Sequence, residues 1–531
     1  MAITLTFYGG VREIGGNKIL LQDGRTSLFL DFGTSFDQRY RYFEEYLRPR
    51  PGAGMLDILE MELVPRLRGI YRPDLLPNEV LQELDATGTA VQPDGVLLSH
   101  AHIDHSGYIS FLRDDIPVYS TLMTAFIARA MQDSNPSDIE KEVCYSNPRT
   151  LHDNYRSPEK NLCLRPFCFL DCETPPPALV DFWTSSPQSS KHMIPSAPPH
   201  HNSMAGALPV QYFPVDHSIP GACAYALETS VGWVCYTGDL RLHGRKSKLT
   251  EYAVEKMAAL HPKILICEGT RAGEKAGASE QDVYETAKRY VAAREATGKL
   301  VIADFGPRNV DRLLIFRDIA RDTRRKLVVL AKDVYLLNAM RLVSTEMPDF
   351  KSEPDILIYK DLKSQPAGWE RNIRELYRTR LVDALQVRQH PGDYIVCFSF
   401  WDLKNLIDIK PEGGLYIFSS SEAHNEEQEL NVWRLNNWLE HFHFTPRGLP
   451  RPPRRASKNR GADWEIPPEE LKLHASGHAG ARDLLTIVRR IRPEILIPVH
   501  SLAPEFYPNR LHFTAPDIKV ELPERGKPMS F

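Results

Sequence analysis

Hydrophobic and polar positions alternate in different ways along this chain, and the changes of period mark its elements. Residues 4–8 alternate as a half-buried strand does, and Gly9-Gly10 and Gly15-Gly16 punctuate a hairpin into strands over 18–21 and 28–30. Apolar runs at 96–98, 118–120, 232–236 and 263–267 predict further strands, and 121–132 predicts a helix. Beyond residue 280 the pattern becomes a regular alternation. A helix near 281–293, a strand over 300–303, a helix over 309–320, a strand over 327–331 and a helix from Asp333 follow one another, with strands again at 394–398 and 415–418. Alternating strand and helix predict a parallel sheet covered on both faces, hence a separate α/β domain. Leu484, Leu485, Val488 and Ile491 then line one helix face, and the last strand spans 495–499.

Three stretches break these periods. Residues 36–91 are long for a connection between strands and set Tyr40, Tyr42, Phe43 and Tyr46 beside Arg39, Arg41, Arg48 and Arg50. Such interleaving suits stacking on unpaired bases, and equally suits an insertion that packs its own small core. Residues 147–208 are rich in Pro, Ser and His, including Pro175-Pro176-Pro177 and His200-His201, and predict a surface loop. Residues 445–461 set Arg447, Arg451, Arg454, Arg455, Lys458 and Arg460 among prolines, a loop that is either solvated or in contact with phosphates.

Composition narrows the class. At 531 residues the chain exceeds one ordinary core, and 42% hydrophobic with 25% charged residues describes a globular protein of two or three domains. A formal charge of −4 gives no global field for nucleic acid, so any such binding needs a local basic lining. The eight cysteines are too sparse for a disulfide framework, and Cys163, Cys168 and Cys172 lack the paired spacing of a zinc site. The N-terminal residues do not follow the leader pattern and nowhere do ~18 apolar residues run together, so a soluble, cytoplasmic protein without a membrane partner is expected.

The chemistry concentrates at Ser99-His100-Ala101-His102-Ile103-Asp104-His105, directly after the strand at 96–98. Four ligand-type side chains this close would be costly to bury unpaired, and imidazole with carboxylate suits Zn or a similar divalent ion. Two adjacent metals can share ligands crowded onto one loop. A His and an Asp beside other strands, at Val215-Asp216-His217 and Thr237-Gly238-Asp239, offer what such a site still lacks. Ser476-Gly477-His478-Ala479 at a helix start combines free backbone N–H groups with an imidazole, which suits a phosphate oxyanion. His500 ends the last strand, where a ligand fits.

His-x-His-x-Asp-His after an apolar strand resembles the signature loop of the metallo-β-lactamase fold, an αββα sandwich. Glu268, His478 and His500, in that order, look like motifs A, B and C of its nucleic-acid-cutting β-CASP branch, and Ser-Gly-His-Ala with Pro-Val-His most resembles the ribonuclease J family and related RNA-processing endonucleases. A His rather than Val at the last motif favours RNA over DNA. The resemblance implies a lactamase domain in two parts, 1–270 and 465–531, around an inserted α/β β-CASP domain, 271–464, of mostly parallel sheet.

Carried over residue by residue, it assigns one metal to His100, His102 and His217 and the second to Asp104, His105 and His500, with Asp239 bridging and Asp31 supporting the loop from behind. Two divalent ions, Zn or else Mn, ~3.5–4 Å apart share a water and lower its pKa. The implied reaction is hydroxide attack on a phosphodiester of single-stranded RNA. Asp104 steers, His478 protonates the leaving oxygen or stabilises the phosphorane, and Glu268 orients His478. Ser476, Arg308 and Asn309 are weaker candidates for RNA contact, capping by Asn309 being the simpler explanation. A DNA nuclease of the same branch and a catalytically idle RNA-binding scaffold are the alternatives. The family's Thr-Gly-Ser-Gln-Gly-Glu-Pro stretch has no counterpart near Phe398-Ser399-Phe400-Trp401-Asp402, and only about thirty residues follow His500, so 5′-phosphate-dependent exonuclease action and family-type dimerisation are not implied.

Overall fold

The structure is a computed structural model that describes residues 2–531 except 45, 137, 153–154, 189, 197–202, 275–276, 307, 420–425 and 452–464, and the side chains of 426–431. The chain forms two compact units, Met1–Leu242 with Lys246–Lys275 and His478–Phe531, and His243–Arg245 with Ala276–Gly477.

The first unit is built on two seven-stranded mixed sheets. One runs Phe167–Phe169, Val118–Ser120, Gly95–Leu97, Thr26–Phe32, Lys18–Asp23, Ile3–Gly9, Pro528–Ser530; the other runs Met204–Ala205, Leu208–Pro214, Cys223–Thr229, Gly232–Tyr236, Ile264–Glu268, Ile495–Val499, Lys519–Val520. One core joins them face to face, with Leu5, Phe7, Ile19 and Leu30 from the first sheet and Tyr225, Leu227, Tyr236, Ile266 and Ile497 from the second all nearly free of solvent. The alternate residues of the second sheet, among them Ala224, Cys235 and Leu265, pack under Val254 and Met257 of helix Ser247–Ala259 and Leu484 and Val488 of helix Ala481–Ile491. That two-faced alternation is why strands 264–268 and 495–499 read as continuous apolar runs. On the far side of the first sheet, Phe126 of helix Leu122–Ser134 stacks on Phe182 and Trp183, giving the αββα layering of the metallo-β-lactamase fold.

The second unit holds one seven-stranded sheet, Leu381–Val382, Ile356–Tyr359, Lys326–Val329, Tyr394–Cys397, Leu300–Asp304, Gly414–Phe418, Phe444–Arg447, parallel throughout. Helices Glu280–Val291, Val310–Asp322 and Ala331–Val343 alternate with its strands.

Two expectations change. Residues 147–208 are not one loop. They contribute strands Arg149–His152, Tyr155–Pro158, Asn161–Leu164, Phe167–Phe169 and His192–Ile194 and the helix Pro177–Thr184, and Phe167–Phe169 extends the first sheet beside Val118–Ser120. Strands of three or four residues between prolines are too short to show a period. Ala331 belongs to a helix and not to the strand before it, because Asp333 accepts from Leu330 N (2.9 Å) and caps that helix. His200-His201 and the run Arg454, Arg455, Lys458 and Arg460 lie outside the described residues.

Candidate metal centre

Strand ends of both sheets deliver the site, with His217 following strand Leu208–Pro214 and Asp239 following strand Gly232–Tyr236. The parallel register Leu30↔Leu97 carries Asp31 and Ser99 off neighbouring strands, and Glu268↔Val499 does the same for Thr270 and His500. Asp31 (φ 57°) and His500 (φ 53°) both sit in the left-handed region, where a residue with a Cβ costs on the order of 1–3 kcal/mol. Each bend aims a side chain inward at the end of a strand. Gly33 permits the closest approach in this region, since a Cβ there would lie 1.7 Å from Asp104 O and 2.5 Å from His105 N.

The donor atoms fall into two main groups, with His217, Asp239 and His478 forming a third that overlaps them. His100 Nε2 and His217 Nε2 each lie 3.1 Å from His102 Nδ1, so three ring nitrogens converge on one point. Asp104, His105, Asp239 and His500 form the second group, with His500 Nε2 3.3 Å from Asp104 Oδ2. Asp239 Oδ2 stands between them, 3.7 Å from His100 Nε2, 3.9 Å from His217 Nε2, 3.0 Å from His105 Nε2 and 3.8 Å from His500 Nε2. His105 Nε2 and Asp239 Oδ1 are buried and hydrogen-bonded to nothing. Such orphans cost about 1–3 kcal/mol each, and a cation between them removes that cost, so the donor set fits a divalent metal.

The outer ring nitrogens of His105 and His100 are held, which settles their inner ones. Asp31 is fully buried and accepts from Ser99 N and Ser99 Oγ (2.7 Å each), His105 Nδ1 (2.7 Å) and Tyr236 OH (2.6 Å). An ionised carboxylate only accepts, so His105 carries its proton on Nδ1 and turns the Nε2 lone pair inward. With its hydrogen given to Asp31, Ser99 Oγ can only accept from His100 Nδ1 (3.0 Å), and His100 Nε2 is likewise free. Asn17 Nδ2 donates to Tyr236 OH (2.8 Å) and completes this support.

Electrostatics follow from crowding and burial. Burial and the imidazoles of His105, His217 and His102 push His100 well below the ordinary imidazole range, leaving it neutral as a ligand must be. Burial opposes ionisation of Asp104 and Asp239, yet His105 and His500 hold both carboxyls below their ordinary range. Burial also works against charge on His105, but Asp239, Asp104 and Asp31 together raise it, so a cation at Nε2 has to displace a proton that these carboxylates favour.

Beside this set, Glu268 Oε2 accepts from His478 Nδ1 (2.8 Å), and Glu268 Oε1 accepts from Leu240 N (2.7 Å). The His478 side chain is 18% exposed where those of His100, His105, His217 and His500 are fully buried, so it borders the open side of the cluster. Asp216 is set apart, paired with the buried Arg241 (Oδ1 to Nε, 3.0 Å). Ser99, Tyr236, Asn17 and Thr270 are additions to the residues read from sequence. Only Ser99, preceding the His cluster, carried a local signal.

Other candidates lie in the second unit and are described there. Asn309 is buried and its Oδ1 accepts from Arg312 N (3.0 Å), the cap of helix Val310–Asp322; Arg308 is half-buried. Ser476 is buried, with its carbonyl 2.9 Å from His243 Nε2. Arg447 and Arg451 of the basic stretch both pair with the buried Glu470, at 3.2 and 2.6 Å. In the first unit, Arg39 forms a two-point pair with Glu140 (3.1 and 3.0 Å), Phe43 is buried, and the Tyr40 ring stacks on Phe36 with 6.0 Å between centroids.

Residues 471–507, which include His478 and His500, match the family model described as the Zn-dependent metallo-hydrolase RNA specificity domain. Ribonuclease J of Mycolicibacterium smegmatis is 23% identical over 523 residues, covering 94% of this chain and 69% of that protein. The chain is a ribonuclease J-like, β-CASP protein of the metallo-β-lactamase fold. Ribonuclease J of Corynebacterium glutamicum, 22% identical over 517 residues, is covered over only 52% of its length, so the ribonuclease J relatives differ in how much lies outside the match. A crystal structure of a protein of unknown function from Enterococcus faecalis V583 matches this ribonuclease J-like fold along all of both chains, with TM-score 0.64 and 22% identity. Among the described residues, no helix is long and apolar enough to cross a membrane.

Proposed function

We propose that this chain is a metal-dependent ribonuclease that hydrolyses phosphodiester bonds in single-stranded RNA. The observation that carries the reading is the position of Asp239 Oδ2, within 4 Å of ring nitrogens from both donor groups and 3.9 Å from His478 Nδ1. We assign two divalent cations, Zn before Mn, to His100, His102 and His217 and to Asp104, His105 and His500, with Asp239 shared; imidazole-rich sites suit Zn. Such a pair, when bound, acidifies a water and offsets the charge that develops on an in-line phosphoryl displacement.

The protein's own groups do the rest. Asp104, the most exposed carboxylate of the set at 19%, is the one placed to orient the attacking water. His478, fixed through Nδ1 by Glu268, is the imidazole we assign to hydrogen-bond a phosphoryl oxygen or deliver a proton to the leaving oxygen. Glu268 orients that ring and balances its charge. We read the unit of Ala276–Gly477 as the inserted β-CASP domain, with Arg308 the side chain there best suited to a backbone phosphate.

The test is cleavage of matched, end-labelled RNA and DNA oligonucleotides, with and without a 5′ phosphate, in Zn or Mn. RNA cutting that a chelator abolishes is expected. Cutting of DNA alone would make the chain a DNA nuclease, and bound metal without turnover on either would make it a scaffold. Product lengths separate internal from end-directed cutting.

A further inference from the structure

Thr270 has no role in the assignments above, yet its side chain is hydrogen-bonded both to Glu268 of the proton-handling pair and to His500 of the donor set. Its hydroxyl lies 2.7 Å from Glu268 Oε2 and 2.8 Å from His500 Nδ1. A hydroxyl has one hydrogen, and an ionised Glu268 can only accept it. Thr270 Oγ must then accept from His500 Nδ1–H, which fixes the tautomer of His500 and leaves its Nε2 lone pair facing Asp104 and Asp239.

The same logic governs the opposite side of the cluster, where Ser99 Oγ gives its hydrogen to Asp31 and accepts from His100 Nδ1. Carboxylate, hydroxyl and imidazole recur in that order at both strand pairs. On the Thr270 side the carboxylate also holds His478 through the same oxygen, Oε2, at 2.8 Å. The backbone keeps these groups in register. Glu268 pairs with Val499 in parallel strands, Tyr507 OH donates to Glu268 O (2.5 Å), and a Cβ at Gly269 would lie 2.9 Å from the Ser501 side chain.

We propose that Thr270 is a positioning residue: its hydroxyl couples Glu268 and His478 to the ligand nitrogen of His500, so that metal affinity and the placing of His478 depend on one hydrogen-bond chain. The inference rests on the metal-centre reading, but its primary readout needs no RNA. Thr270→Val keeps the shape and removes the hydroxyl; Thr270→Ser keeps the hydroxyl. In competition of the purified, full-length protein against a chelator, Thr270→Val is expected to lose 10–100-fold in affinity for one of two Zn equivalents, and Thr270→Ser to restore it. The His500 Nδ1–H resonance should persist in Thr270→Ser and exchange away in Thr270→Val.

Wild-type affinity for both equivalents in Thr270→Val, with native melting behaviour, would overturn the proposal. So would equal losses in both variants, which would make the role one of packing. If Thr270→Val fails to fold, Thr270→Ala with the same chelator competition and the His500 resonance decides between these outcomes. A wild-type protein that binds metal but cuts no RNA would defeat the nuclease reading while leaving this test intact.

Discussion

His105 Nδ1 and Asp31 Oδ2 lie 2.7 Å apart with neither side chain exposed to solvent. Asp31 therefore decides which nitrogen His105 can offer, and it does so with an oxygen shared among three donors. Asp31→Asn replaces an acceptor by a group whose NH₂ faces N–H and O–H donors. Because it breaks a buried charged network, a stability loss of about 3–5 kcal/mol is expected, with metal affinity down about 10–100-fold. Tyr236→Phe removes one donor of the same hub and should cost only about 1–2 kcal/mol. Thermal unfolding and chelator competition on the same samples check both, and equal effects of the two variants would contradict the ranking.

The donor groups differ in what one truncation removes. His102 is the only ring that offers Nδ1 to its group, and Asp104 supplies a carboxylate to the other. His102→Ala and Asp104→Ala should each abolish RNA cutting and lower bound metal by about one equivalent in elemental analysis. Full activity in either would remove the metal-centred mechanism.

His478 and Glu268 stand outside both three-residue ligand sets, and the loss of His478 should separate chemistry from binding. For His478→Ala and Glu268→Gln a fall of roughly 10²–10⁴-fold in kcat is expected, with metal content near wild type in His478→Ala and one equivalent held more weakly in Glu268→Gln, through Thr270. Because the two act as one unit, the double variant should be little worse than either single one. Single-turnover rates measure this directly, and lost metal in His478→Ala would place that residue among the ligands.

Much of this architecture is legible before any coordinates. His100, His102, Asp104 and His105 stand out because ligand-type side chains crowd one loop after an apolar strand, and the alternation beyond residue 280 shows the parallel sheet because its buried strands and amphipathic helices have different periods. Phe167–Phe169 and its short neighbours escape, since three residues show no period. Tyr236 and Asn17 escape for another reason: they are 219 positions apart and meet only through one hydrogen bond. Thr270 is an ordinary strand-end threonine in sequence, and becomes informative once the Glu268↔Val499 register sets it beside His500. Asn309 goes the other way, its side chain taken up in the cap that sequence already allowed.

The second unit carries a titration that the metal centre does not touch. Asp304 is buried at the end of strand Leu300–Asp304; burial and the nearby Asp402 push its carboxyl up to about 7, against hydrogen bonds from Tyr416 OH and the Phe400 backbone. In the unfolded chain it titrates near the ordinary 3.8. Between those values the folded state binds the extra proton, so stability is full below the unfolded value and falls as pH rises, by up to about 1.4 kcal/mol per pH unit, until it levels above 7. Asp304→Asn can still accept from Tyr416 OH and does not titrate. It should therefore melt at a higher temperature than wild type at pH 8 and at nearly the same temperature at pH 4. Asp333, pushed up to about 6 by burial and Asp402, leaves a smaller slope of the same sign in the variant. Melting curves of the two proteins from pH 4 to 8 give the difference, and parallel curves would show that Asp304 is ionised throughout.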